Sequence, residues 1–423
     1  MTDSRAVGAH ARGSDRRFPD SVETRASWIA ATLAIFVLSI SYGAPLIVVI
    51  GLKPIASALD TDRSVVALAA ALVWVGTGTG GILMGWVADR VGVRRTVILG
   101  AVMTALGLAV SAGGRVWTLY LGHALLIGFL GGGALYPPLL IYISRWFDRR
   151  RGAALALISS GQYIAGVIWP SVFERALVWF GWRGVMLGFS LVVLLIVPMA
   201  ALLRPAPQPG RASGAAAIGF RGTKALGLSG NTVQLLLCAA SFLCCVPMAM
   251  PSSHLVAFCS DVGIAPAEGA TMLSVLLGCA FVSRQFWGWA ADKIGGLGTV
   301  FAGSACQALA IAAFAVTRNE AGLFAISAAY GLGFSGIIPA YVVAIRELFP
   351  STDASWRVPT LLFSGMSGMA FGSWFAGALY DYFGFYAPAF AAGALFNLGN
   401  LILVGFLVLR KMQDSRFAEA PAV

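Results

Sequence analysis

GWVADRVG, residues Gly85 to Gly92, and GWAADKIG, residues Gly288 to Gly295, are nearly the same eight letters set 203 positions apart in a chain of 423. A charged turn written twice at about half the chain length marks an internal duplication, and the chain reads as two copies of one unit. The residues leading into the second turn hold something the first lacks. Phe281 to Gly298, FVSRQFWGWAADKIGGLG, carries Arg284 four residues before Gly288, where the first copy has Gly81. The turn is shared scaffold; the unmatched arginine is a candidate for function.

The residues around both turns are apolar. The chain is 58% hydrophobic and 11% charged, with 51 glycines and a mean hydropathy of +0.83, which leaves a water-soluble domain too little polar surface. Runs of the ~20 residues needed to cross a bilayer lie between charged punctuation at 28-52, 63-88, 96-113, 117-143, 152-173, 184-203, 231-257, 268-291, 299-316, 321-345, 358-379 and 386-409. The expected fold is an all-α membrane protein, twelve transmembrane helices arranged as two pseudo-symmetric six-helix bundles. Its parts are a disordered polar tail (1-27), a first bundle (28-203), a Pro/Gly/Ala/Ser-rich linker (204-230), a second bundle (231-409) and a second tail (410-423).

The net charge of +11 is topological. With both termini in the cytoplasm, 22 of the 29 Lys and Arg fall in cytoplasmic segments, as the positive-inside rule demands. Outer loops keep Lys53, Arg63, Arg115, Arg175, Arg183 and Arg318, and Arg284 is left inside the membrane. This excludes nucleic acid as a partner and predicts a multi-pass protein of the cell inner (plasma) membrane. The polar first 27 residues do not read as a signal peptide. The six cysteines lack CxxC spacing, so neither a metal site nor a disulfide framework is expected.

Gly43 and Pro45 interrupt the first span, and Pro247 and Pro251 sit at the matching place in the second half; broken helices at equivalent positions point to a carrier's binding region. Each turn places a carboxylate among cations at a helix end: Asp89 with Arg90, Gly92 and Arg94, and Asp292 with Lys293 and Gly295. Such groups pair or cap helices in one conformation and separate in another, so both turns are expected to be conformational switches.

Here the chain resembles the major facilitator superfamily: GWVADRVGVRR is similar to its loop 2-3 motif and GWAADKIG to the weaker echo between helices 8 and 9. SYGAPLIVVIGLKPI, ALYPPLLIYISRWFDRRRGAALALISSGQYIAG, HLVAFCSDVGI and SRQFWGWAADKIG resemble the monocarboxylate porter and oxalate:formate antiporter branch. The resemblance implies a substrate-binding arginine at Arg284. It also shows departures: Ala280 stands where the proton-coupled animal members have Asp, Leu46 where they have a lysine, and helix 11 lacks the lysine of the oxalate carriers.

From the residues alone, Arg284 lies ~12 Å along its helix from Asp292, near mid-membrane, where an unpaired guanidinium costs on the order of 3 kcal/mol or more. No acid shares its helix at that depth, and an anionic ligand is the fitting partner because guanidinium and carboxylate form two parallel hydrogen bonds. Tyr42, Tyr136 and Tyr330 are the candidate hydroxyl donors. His254 and His123 are the proton-coupling candidates.

The expected function is secondary active transport of a small organic monocarboxylate of the lactate or pyruvate kind. The carrier would be a monomer in the bilayer working by alternating access, with a proton or counter-anion as second partner. Alternatives are an organic-anion exchanger, an exporter of larger amphipathic solutes and a non-transporting sensor. There is no nucleophile with a partnered base, no HExxH and no phosphate loop, so neither enzymatic activity nor a cofactor is expected.

Overall fold

Apolar runs of this length fold as helices because hydrocarbon offers backbone N–H and C=O groups no partner outside the segment. The computed structural model describes residues 23–147, 151–205 and 224–419. The first half contains α1 (Arg25–Ser41), α2 (Gly43–Ile50), α3 (Leu52–Leu59), α4 (Arg63–Val91) and α5 (Val93–Ser111). Next come α6 (Val116–Tyr120), a π-helical stretch over Leu121–Gly132, α7 (Gly133–Ser144), α8 (Arg151–Ser159), α9 (Gly161–Leu194) and α10 (Ile196–Ala201). A two-residue antiparallel hairpin, β1 (Lys224–Ala225) with β2 (Leu228–Ser229), leads into the second half. There follow α11 (Gly230–Asp261), α12 (Pro266–Val316), α13 (Glu320–Phe334), α14 (Ile337–Leu348), α15 (Ser351–Phe383) and α16 (Ala387–Glu419).

Among the described residues, nine helical runs are long and apolar enough to cross a membrane. Two are far longer than one crossing, Leu157–Ala201 and Pro266–Val316, and each is bent at one glycine, Gly181 (φ 64°, ψ 168°) and Gly295 (φ 75°, ψ 169°). Gly92, the Gly295 counterpart in the first turn, has φ 88° and ψ 149°. This left-handed φ with an extended ψ is essentially closed to side chains. The repetition seen in letters is therefore a repetition of backbone.

Local chemistry sets the other boundaries. Ser229 Oγ accepts the Thr232 N–H at 3.1 Å and Asn319 Oδ1 the Gly322 N–H at 2.9 Å, capping α11 and α13, while Pro266 occupies the first turn of α12. The expected break near Gly43 is present: α1 stops at Ser41, and Ser39 O accepts the Trp169 indole N–H at 2.8 Å. The matching break in the second half is absent. α11 runs unbroken through Pro247 and Pro251, since Tyr330 Oη donates at 2.9 Å to Pro247 O, the carbonyl that Pro251 leaves without its i+4 partner.

Of the expected non-membrane parts, 1–22, 206–223 and 420–423 lie outside the described residues, as do Arg149 and Arg150. α16 continues past Leu409 to Glu419. Helices of the two sequence halves meet along two long seams, α4 with α15 and α9 with α12, and α11 touches α2 and α3.

Candidate functional site

The α9–α12 seam holds Arg284. Its side chain is half-buried, and among the described residues its Nε is buried with no hydrogen-bond partner and no carboxylate pairs with the guanidinium. The guanidinium carbon lies 5.3 Å from the centre of the Tyr163 ring, within the range of a cation–π contact. Tyr163 is 5% exposed and meets Phe334 of α13 edge-on at 6.3 Å. Tyr42, at the α1–α2 break, and Tyr136, in α7, pack edge to face with ring centres 6.0 Å apart, and both lie within electrostatic reach of Arg284. The second half thus supplies one cation with an unused N–H, and the first half faces it with three phenols. Such a pocket suits a carboxylate on the guanidinium with an apolar body against the rings.

The four residues expected to bind substrate do not all meet. Tyr42 and Tyr136 come within electrostatic reach of Arg284. Tyr330 does not: it is fully buried, donates to Pro247 O and accepts from Gln307 Nε2 at 3.3 Å, so its hydroxyl serves the proline-bearing helix. Tyr163 lies two residues after the start of α9, and no spacing in the sequence marks it as facing Arg284. Nearby on α12, Trp287 donates its indole N–H to Leu332 O at 2.7 Å, and Phe286 is exposed.

The histidines are far apart in role. His123, within the π-helical stretch, is buried with Nδ1 3.0 Å from both Leu119 O and Ser111 Oγ, and its Nε2 is buried and unpartnered. His254 is also buried, but at the end of the molecule where the sequence halves are tied by ions. There Asp261 of α11 receives Lys53 Nζ at 2.8 Å and the fork of Arg63, Nη2 at 2.9 Å. Asp381 of α15 accepts the backbone N–H groups of Arg63 at 3.0 Å and Ser64 at 2.8 Å, capping α4 from the other half.

At the opposite end lie the repeated turns. Asp89 pairs with Arg145 at 3.2 Å rather than with a cation of its own turn, Arg90 stacks over Trp86 at 3.6 Å, and Arg94 is exposed. In the second copy Asp292 and Lys293 are exposed, and Glu347 takes the carboxylate role, receiving Lys411 Nζ at 2.7 Å and the Gly296 N–H at 3.0 Å. Both of these ion pairs stay within one half.

Comparison with known proteins agrees with this architecture. Residues 28–251 match the Major Facilitator Superfamily. The chain is 29% identical over 329 residues to monocarboxylate transporter 13 of Bos taurus, covering 75% of this chain and 74% of that protein. It is 25% identical over 289 residues to the MFS-type transporter pynF of Aspergillus niger, covering 66% of this chain and 65% of that protein. A crystal structure of the peptide transporter POT superposes with a TM-score of 0.68 at 17% identity, over 89% of this chain and 94% of that one, a likeness of fold alone. With the family matched over more than half the chain, this protein belongs to the Major Facilitator Superfamily: a multi-pass membrane transporter of a small molecule, resembling the monocarboxylate branch, and not an enzyme.

Proposed function

We propose that the chain is a secondary carrier of a small organic monocarboxylate of the lactate or pyruvate kind, coupled to a proton and working by alternating access. The observation that carries this reading is the Arg284 guanidinium, buried at Nε without a partner and faced by Tyr163, Tyr42 and Tyr136. A carboxylate satisfies that cation in the way a buried charge requires. A single cation matches a monoanion better than a dianion.

In this reading the two over-long helical runs, bent at Gly181 and Gly295, each cross twice, and α15 supplies one further crossing. That makes twelve spans, six in 28-203 and six in 231-409. The basic turns and both termini lie in the cytoplasm by the positive-inside rule, in the inner membrane, and the Lys53 end faces outward. The cross-half ion pairs at that end then describe a carrier closed to the outside. The two turns, Asp89 to Arg94 and Asp292 to Gly295, act as hinges on the cytoplasmic side.

Uptake of labelled lactate and pyruvate into proteoliposomes, with and without an inward pH gradient, tests the reading. Arg284→Lys and Arg284→Ala are expected to lower uptake by about 10- to 100-fold, the loss of a charge-assisted hydrogen-bond pair of ~1.5–3 kcal/mol. Normal transport by both variants would overturn the site. Anion exchange is the second reading, favoured by the missing carboxylate partner: an empty carrier would have to cross with Arg284 unpaired. Acceleration of labelled efflux by unlabelled lactate outside distinguishes it.

A further inference from the structure

The ion pairs at the Lys53 end continue inward to a buried histidine. Arg63, whose guanidinium carbon lies 3.7 Å above the Tyr380 ring, also donates through Nη1 to Tyr386 Oη at 3.3 Å. Tyr386 Oη is 3.0 Å from His254 Nδ1, and His254 Nε2 is 2.7 Å from Ser373 O. A carbonyl only accepts, so Nε2 carries the hydrogen. Nδ1 of the neutral ring is then the acceptor, and Tyr386 donates to it. Every donor and acceptor in the chain from Asp261 through Arg63 and Tyr386 to His254 is matched in this one protonation state. The residues of the chain come from both halves: Arg63 from α4, Asp261 and His254 from α11, and Tyr386 from the bend between α15 and α16.

We infer that His254 is the proton acceptor of a latch that closes this end of the carrier, and that protonation at Nδ1 releases it. A proton from the adjoining water adds to Nδ1. The Tyr386 hydroxyl then has nothing to donate to and faces two donors, the imidazolium and Arg63. Two cations share one oxygen in a region where His254 is fully buried and Tyr386 1% exposed, and charge without water is costly there. Separation of Arg63 from Asp261 admits water and relieves both. The other charged and titratable groups on these elements oppose or favour that step in definite ways. Asp381 of α15 attracts the imidazolium; Arg63 repels it. Lys53 competes for Asp261, and Tyr380 holds Arg63 by its ring face. Arg318 lies 5.5 Å over Phe258 of α11, and Glu268 and Glu320 sit in the first turns of α12 and α13.

This inference rests on the chain being a carrier with two gates, and it names where the coupled proton enters. The lining of the shallow cavity at this end, which includes Lys53, Ser57, Asp60, Asp62, Arg63 and Asp381, gives water a route to the latch.

The test is the distance between two fluorophores, introduced by unnatural amino acids at Ser57 in α3 and Tyr382 in α15, in the full chain in proteoliposomes. Between about pH 7.5 and about pH 5.5, the range in which histidine changes charge, the wild-type distance is expected to lengthen. His254→Gln is expected to stay short at both pH values, and Asp261→Asn long at both. Tyr386→Phe, which removes one oxygen and leaves the ring packing, is expected to abolish the response. A wild-type distance that ignores pH, or a His254→Gln response equal to wild type, overturns the latch. The substrate reading fails separately: a pH-driven opening without lactate or pyruvate uptake keeps the latch and rejects that substrate, whereas uptake without pH-driven opening rejects the latch.

Discussion

The guanidinium of Arg284 stands over the face of Tyr163, 5.3 Å from the ring centre, and so joins α12 of the second half to α9 of the first. The contact does two things at once. It partly compensates a cation that has no carboxylate partner among the described residues, and it sets one wall of the candidate carboxylate pocket across the seam that alternating access would have to open. Tyr163→Phe keeps the π face and is expected to leave the apparent KM for lactate within about twofold. Tyr163→Leu removes a contact of ~0.5–2 kcal/mol and is expected to raise it about 3- to 30-fold. Initial uptake rates over a lactate concentration series in proteoliposomes read both values; equal KM for the two variants would show that the ring face is irrelevant.

Tyr330 makes the contrasting prediction. Its hydroxyl repairs the carbonyl freed by Pro251, so Tyr330→Phe leaves a buried C=O without a partner, at a cost of about 1–3 kcal/mol. The variant is expected to unfold at a lower temperature in detergent while its KM for substrate stays at the wild-type value. A raised KM with unchanged thermal stability would return Tyr330 to the binding site.

The two turn glycines are tested by alanine. Gly92 and Gly295 hold φ of 88° and 75°, and a side chain there costs on the order of 1–3 kcal/mol of backbone strain. At Gly92 an added Cβ would meet nothing within 4 Å, so a loss of stability in Gly92→Ala reports backbone conformation alone. Gly288→Ala is the control, because that glycine is helical with open space around it and alanine favours a helix by up to ~1 kcal/mol. Lower melting temperatures for Gly92→Ala and Gly295→Ala beside an unchanged or raised one for Gly288→Ala are expected; three equal shifts would contradict the role given to φ.

Different parts of the fold and site were legible to different degrees. Hydropathy located the helical runs because a bilayer leaves a chain few other choices, and the duplicated octapeptide located the matching glycines Gly92 and Gly295. The proline pair in α11 misled, since Pro247 and Pro251 signal a break only if no neighbour supplies the missing hydrogen bond, and Tyr330, eighty residues further along, supplies one. The same contact explains why Tyr330 looked like a site residue: a polar group in an apolar run announces that it has a partner, not who the partner is.

What the sequence alone determined is the kind of molecule and the oddity of Arg284. Both follow from the cost of placing charge and unsatisfied backbone in hydrocarbon, a cost readable from residue type and position along the chain. What the tertiary structure decided is which groups answer that cost. It set Tyr163 against Arg284 and left the guanidinium Nε free. It tied Arg63 to Asp261, and through Tyr386 to His254. These pairings join residues some 120 to 320 positions apart, and they depend on how helices are rotated and stacked against one another. Periodicity fixes which face of a helix is apolar; only packing fixes which neighbour that face meets.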